Sequence, residues 1–201
     1  SSTAGIVSGG HQNAFGGGDD GFLVKFNSVG VRQWGTYYGD TEYEWVTTCA
    51  TDAAGNVYLA GSTSSTAGIA SGGHQNTLSG DADAFLVKFN SAGVRQWGTY
   101  YGGTQIDAGS SCSLDPAGNV YLSGTTSSSI NIASGGHQNT FSGNNNSPFP
   151  EPDAFLVKFN SIGVRQWGTY YGGTSYENMV ACNTDMAGNV YLVGETSSIN
   201  N

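Results

Sequence analysis

The sequence predicts an all-β chain built as a β-propeller of four-stranded antiparallel blades. Three observations carry that expectation: a unit used three times, apolar residues that alternate with period two, and no stretch of helical periodicity. The string SGGHQN places His11, His74 and His137 at successive separations of 63 and 63, and RQWGTYYG places Trp34, Trp97 and Trp167 at separations of 63 and 70. The copies are 1–63, 64–126 and 127–196, and 197–201 starts a further one. The seven additional residues of the third copy fall between His137 and Asp153, in NNNSPFPEP, whose Asn and Pro content marks a loop insertion.

In the middle copy the first strand is Asp83 to Asn90 (DAFLVKFN). A tight NSAG turn leads into a second strand from Val94 to Tyr101, which makes the pair a hairpin. A third strand runs through Ser111, Cys112, Ser113 and Leu114. It turns through Asp115, Pro116, Ala117, Gly118 and Asn119 into the fourth, VYLSG. Asp opens that turn and Gly near its end supplies the permissive φ. The unit therefore reads as a four-stranded meander. Such a sheet cannot bury both faces alone, so repeats of it are expected to stack radially.

Composition narrows the function classes. Of 201 residues, six are basic and fifteen acidic, for a formal net charge of −9, and glycine fills 32 positions. Sparse, outnumbered cations argue against phosphate-backbone binding and against anionic membrane surfaces. The longest apolar runs fall well short of the ~18 residues of a spanning helix, so neither nucleic acid nor membrane insertion is expected. Ser1 begins no signal peptide, and the missing initiating Met suggests a processed product or an excised segment.

DAFLVKFNSAGVRQWGTYYGG, the following DPAGNVYLSGTTSS and the preceding GGHQN together resemble the SBBP repeat, a family named for the seven-bladed propeller it was proposed to form. The resemblance covers essentially the whole chain. It implies a secreted or surface-displayed bacterial protein whose repeats serve as scaffold or binding region, and it implies no established catalytic residue. By similarity to related propellers the Cys strand would lie innermost and RQWGTYY outermost. Each blade then runs Cys strand, VYL strand, DAFLVKF, RQWGTYY. The chain would begin with two outer strands, end with two inner ones, and hold two complete blades between.

The short NSxG and DxAGN turns share one end of the sheets and the two long connections share the other, which makes the long-loop end the candidate binding face. The residues that follow GTYYG there are Tyr43, Glu44 and Trp45 in the first copy, Gln105 and Asp107 in the second, and Tyr176, Glu177 and Asn178 in the third. Aromatic and carboxylate groups together stack on a sugar ring and accept its hydroxyl hydrogens, so a glycan or a surface protein is the expected ligand.

The remaining chemical residues read as structure. His11, His74 and His137 lack metal-ligand spacing and anchor the long loop; Cys49, Cys112 and Cys182 are odd in number and act as small buried hydrophobes. Asp52, Asp115 and Asp185 open turns. Asp81 with Asp83, and Asp19 with Asp20, are calcium candidates, but neither pair belongs to a complete D-x-[DN]-x-[DN]-G pattern, so no metal and no cofactor is expected. No nucleophile, base and orienter assemble in the sequence. The expected function is a noncatalytic extracellular binding or adhesion module. The alternative is a structural subunit whose half-blades interlock with other copies, or with flanking repeats, as a ring, fibre or stalk.

Overall fold

A computed structural model describes residues 5–144 and 151–199. Among them there are twelve strands and no helix. They are β1 (Gly21–Phe26), β2 (Arg32–Tyr38), β3 (Glu44–Thr51), β4 (Val57–Thr63), β5 (Asp83–Phe89) and β6 (Arg95–Tyr101). The chain continues with β7 (Asp107–Leu114), β8 (Val120–Thr126), β9 (Asp153–Phe159), β10 (Arg165–Tyr171), β11 (Glu177–Thr184) and β12 (Val190–Thr196). Most of the insertion in the third copy, 145–150, and the last two residues of the further copy lie outside the described residues.

The strands form four antiparallel sheets: β1-β2, β3-β4-β5-β6, β7-β8-β9-β10 and β11-β12. None of the four closes on itself. The order from Cys strand to RQWGTYY strand is the expected one, as are the two-stranded first and last sheets. The repeat as written in sequence is nevertheless not one sheet. β6 does not pair with β7, so each full sheet joins the second half of one copy to the first half of the next. The reason lies in the connections. β4 runs opposite β5 over its whole length, from Val57↔Phe89 to Thr63↔Asp83, whereas the segment after Tyr101 steps across to the neighbouring sheet.

Turn chemistry fixes the hairpins. Asn90 Oδ1 accepts from the Ala92 and Val94 amides, and Gly93 takes the positive φ that the turn needs. Asp115 Oδ1 accepts from Asn119 N while its Oδ2 accepts from the Asn119 amide group, and Asp52 and Asp185 repeat the arrangement. The long loop before each hairpin folds back along the edge strand that ends the hairpin. Ser71 exchanges backbone hydrogen bonds with Gly98, and Tyr100 N donates to Gln75 O. That covers an edge which would otherwise offer unpaired amides and carbonyls. Gly98 permits the approach, since a Cβ there would lie 2.5 Å from Ile69 O.

The core lies between sheets. Leu23, Trp34 and Tyr38 of the first sheet pack on Val57, Leu59, Phe85, Val87 and Phe89 of the second. The opposite face of the second, with Tyr58, Leu86, Trp97 and Tyr101, packs on Val120, Leu122, Phe155, Val157 and Phe159 of the third. Tyr121, Leu156 and Trp167 of the third meet Cys182, Val190 and Leu192 of the last. Polar ties repeat with the packing. Trp34 Nε1 donates to Ser91 O at 3.0 Å and Trp97 Nε1 to Ser161 O at 3.1 Å, each reaching the hairpin turn of the next sheet. Tyr38 donates to Ile69 O and Tyr101 to Ile132 O in the same way. Lys25 and Lys88 cap the same two turn carbonyls, and Lys88 also lies over the Tyr58 ring.

One expectation about the cysteines is corrected here. Cys112 and Cys182 are buried, but Cys49 is exposed, and all three are free thiols. Cys112 packs back against the preceding sheet, with its Sγ near Tyr58 O. The sheet before Cys49 consists only of β1 and β2, so it has no counterparts of β3 and β4 to cover that thiol.

Candidate functional site

A polar cluster recurs at each of the three junctions between successive sheets. It is built from residues that follow one another through the repeat. At the second junction Gln75 comes from the GHQN loop, Asp83 opens β5, Gly102 follows β6, Asp107 opens β7, Thr126 ends β8 and Ser128 follows it. Gln75 Nε2 donates to Asp83 Oδ2 at 2.9 Å, and its Oε1 accepts from Gly102 N at 3.2 Å. Asp107 accepts from Thr126 Oγ1, from Gly103 N at 2.7 Å and from Ser128 Oγ at 2.8 Å. Gln12, Asp20, Gly39 and Glu44 repeat this at the first junction, and Gln138, Asp153, Gly172 and Glu177 at the third. The glycine is obligatory for steric reasons. A Cβ on Gly39, Gly102 or Gly172 would collide with both carboxylates of its junction.

Each junction therefore holds two carboxylates and no cationic side chain among these hydrogen-bonded partners. Asp83, Asp107, Asp153, Glu44 and Glu177 are all buried. Burial pushes Asp107 and Asp153 up to about 6 and raises Asp83 as well. The junctions differ in how well the oxygens are satisfied. Asp83 Oδ1 accepts from Gly80 N, and Asp107 Oδ2 takes two donors. At the third junction Asp153 Oδ1 and Glu177 Oε2 are buried with no hydrogen-bond partner, and at the first Asp20 Oδ1 is in the same position.

These placements reorganise the candidate ligand residues. Glu44, Asp107 and Glu177 turn inward into the junctions, whereas Tyr43, Trp45, Gln105, Tyr176 and Asn178 stay exposed. Tyr43 and Trp45 stack on each other with centroids 5.7 Å apart and planes 14° from parallel. Asp83 pairs with Asp107, while Asp81 is exposed. The three histidines lie on aromatic rings: His11 on Phe89 and His74 on Phe159 of the following sheet, His137 on Tyr171. The hydrogen bonds that tie their loop down come from the neighbouring glutamines. Among the described residues no group of three or more His, Cys, Asp or Glu gathers as a metal centre.

Sequence alone does not bring the junction pairs together, because their members lie 24 residues apart in the chain and on different sheets. The available signal was internal repetition, since positions 20, 83 and 153 are always Asp, and 44, 107 and 177 are always acidic. No protein-family model matches the sequence, and no curated protein matches it either.

Proposed function

We propose that the chain is a noncatalytic structural module of β-propeller type, an SBBP-like array in which the four-stranded sheets act as blades, and that its two half-sheets complete one another between copies. The observation that carries this reading is the contrast between equivalent faces. Phe85 and Phe89 are 0% exposed against the first sheet, but their counterparts Phe22 and Phe26 are 60% and 59% exposed. At the other end Tyr171, Tyr191 and Val193 are exposed, although Tyr101 and Tyr58, which match the two tyrosines, are buried. A last sheet holding only inner strands and a first sheet holding only outer strands are complementary in shape and in residue chemistry. Joined, they remove two open edges and cover large aromatic side chains.

The existing sheets supply the register. Leu59↔Val87 and Val57↔Phe89 translate into Leu192 opposite Val24 and Val190 opposite Phe26 of a second copy. Two variants that each carry one introduced cysteine, Val24→Cys and Leu192→Cys, both with the exposed Cys49 replaced by Ser and the buried Cys112 and Cys182 retained, are mixed and oxidised. The reading expects a disulfide-linked heterodimer from this pair and little from Leu23→Cys with Leu192→Cys. Equal yields from both pairs, or none from either, would refute the joint.

A second reading, presentation of a ligand surface at the long-loop end, is favoured by the exposed Tyr43 and Trp45 stack, a flat aromatic platform of the kind that carbohydrates use. Glycan-array binding lost on Trp45→Ala supports it. Absence of any glycan signal from the parent chain removes it.

A further inference from the structure

The carboxylate pair of the third junction is arranged for a cation. Asp153 and Glu177 are 0% and 5% exposed, and each turns one oxygen, Oδ1 and Oε2, towards the same space beside Gly172. Glu177 Oε2 accepts no hydrogen bond, and the one donor facing Asp153 Oδ1 is the Gly143 amide. A buried carboxylate oxygen left without a donor beside a second buried carboxylate is costly, and buried charges are ordinarily paired or bound to metal. The remaining oxygens of the pair are held in place: Asp153 Oδ2 by Ser142 N at 2.8 Å and by Gln138 Nε2, and Glu177 Oε1 by Thr196 Oγ1 and Ser198 Oγ, both at 2.7 Å. The carboxylates are thus oriented with Oδ1 and Oε2 converging.

Calcium suits this pair better than a smaller ion because it tolerates an irregular oxygen shell. Both oxygens crowd the position of a Cβ on Gly172, so they are at most about 5 Å apart, close enough to share one ion with oxygen distances of 2.3–2.6 Å set off from that glycine. Magnesium would demand a near-ideal octahedron at shorter range. An open pocket of about 470 Å³ adjoins the site on its Glu177 side, lined by Gln138, Gly172, Gly173, Glu177, Thr196 and Ser198. It has room for the waters that complete a calcium shell. The geometry points to a single calcium site at this junction, held by Asp153 and Glu177 and absent from the other two, where Glu44 Oε2 accepts from Asp40 N and Asp107 Oδ2 from Gly103 N and Ser128 Oγ.

The test is calcium binding by the intact 201-residue chain, followed by titration calorimetry in chelator-treated buffer. One ion per chain is expected, with a dissociation constant of roughly 10⁻⁴ to 10⁻³ M, the range of weak carboxylate sites. Glu177→Gln should weaken binding at least about tenfold, and Asp107→Asn should leave it unchanged. The unfolding midpoint of the parent chain should rise with calcium chloride and fall back when a chelator is added, a readout that does not depend on any variant folding. No binding at 10 mM calcium, as expected if the two carboxyls merely share a proton, would overturn the proposal. So would a stoichiometry unaffected by both Glu177→Gln and Asp153→Asn.

Discussion

Replacing Phe85 and Phe22 by alanine compares one repeat position in its covered and uncovered forms. Phe85 is wholly enclosed between the first and second sheets. A phenylalanine side chain of ~200 Å² at ~25 cal/mol/Å² loses about 5 kcal/mol of burial at most, and measured Phe→Ala costs are about 3–5 kcal/mol because a cavity remains. Phe22 is 60% exposed, so two fifths of that surface is covered and no enclosed cavity forms. Its loss is expected to cost about 1–2 kcal/mol. With a urea m-value near ~2 kcal/mol/M, the midpoint should move by about 2 M for Phe85→Ala and by less than about 1 M for Phe22→Ala. Tryptophan fluorescence follows the transition, because Trp34 and Trp97 report both faces of the second sheet. The runs are made at a concentration where the chain sediments as a monomer. As concentration rises, the Phe22 deficit should grow towards that of Phe85, because a second copy covers the ring. Equal midpoint shifts in the monomer, or a harmless Phe85→Ala, would refute the reasoning.

Tyr101→Phe should cost about 1–3 kcal/mol, since Ile132 O would be left buried without its donor, whereas Tyr171→Phe at the exposed equivalent position should be nearly neutral; chemical denaturation compares them. Asp107, raised to about 6, makes the folded state bind a proton more readily than the unfolded one. Stability should therefore rise as pH falls from above 6 towards 4, by up to roughly 3 kcal/mol, and Asp107→Asn should flatten that slope in melts across the range. Asp52 and Asp115 are lowered, with side-chain and backbone hydrogen bonds favouring their charged forms, so their contribution is present above the unfolded value and lost in stronger acid. Stability should thus peak at mildly acidic pH. One thiol of three, Cys49, should react quickly with a thiol reagent in the native chain and all three in denaturant. Burial pushes Cys112 up to about 12 and raises Cys182 as well.

Much of the fold was legible because local signals agreed. Period-two alternation in DAFLVKF, the Asn and Gly of the hairpin turn and the Asp and Asn of the second turn each specify local geometry within a few residues. The division of the chain into half, full, full and half sheets followed from placing the Cys strand innermost, and the pairing bears that division out. What stayed hidden depends on contacts between sheets. Cys49 differs from Cys112 only in what lies in front of it. Glu44 and Asp107 follow the same GTYYG string as the exposed Tyr43 and Gln105, and only the stacking turns them inward to meet Asp20 and Asp83. Alternation places a residue on a face of its sheet, but cannot tell which neighbour covers that face.

The central claim, that the exposed first sheet and the open last sheet are two halves of one blade, is tested most directly by the mass of the purified chain in sedimentation velocity over a hundredfold range of concentration. The account predicts association that increases with concentration into discrete multiples or fibres, and that is lost when Phe26→Asp places a charge on the exposed face of β1. A well-folded species that keeps the mass of one 20.8 kDa chain throughout would contradict it.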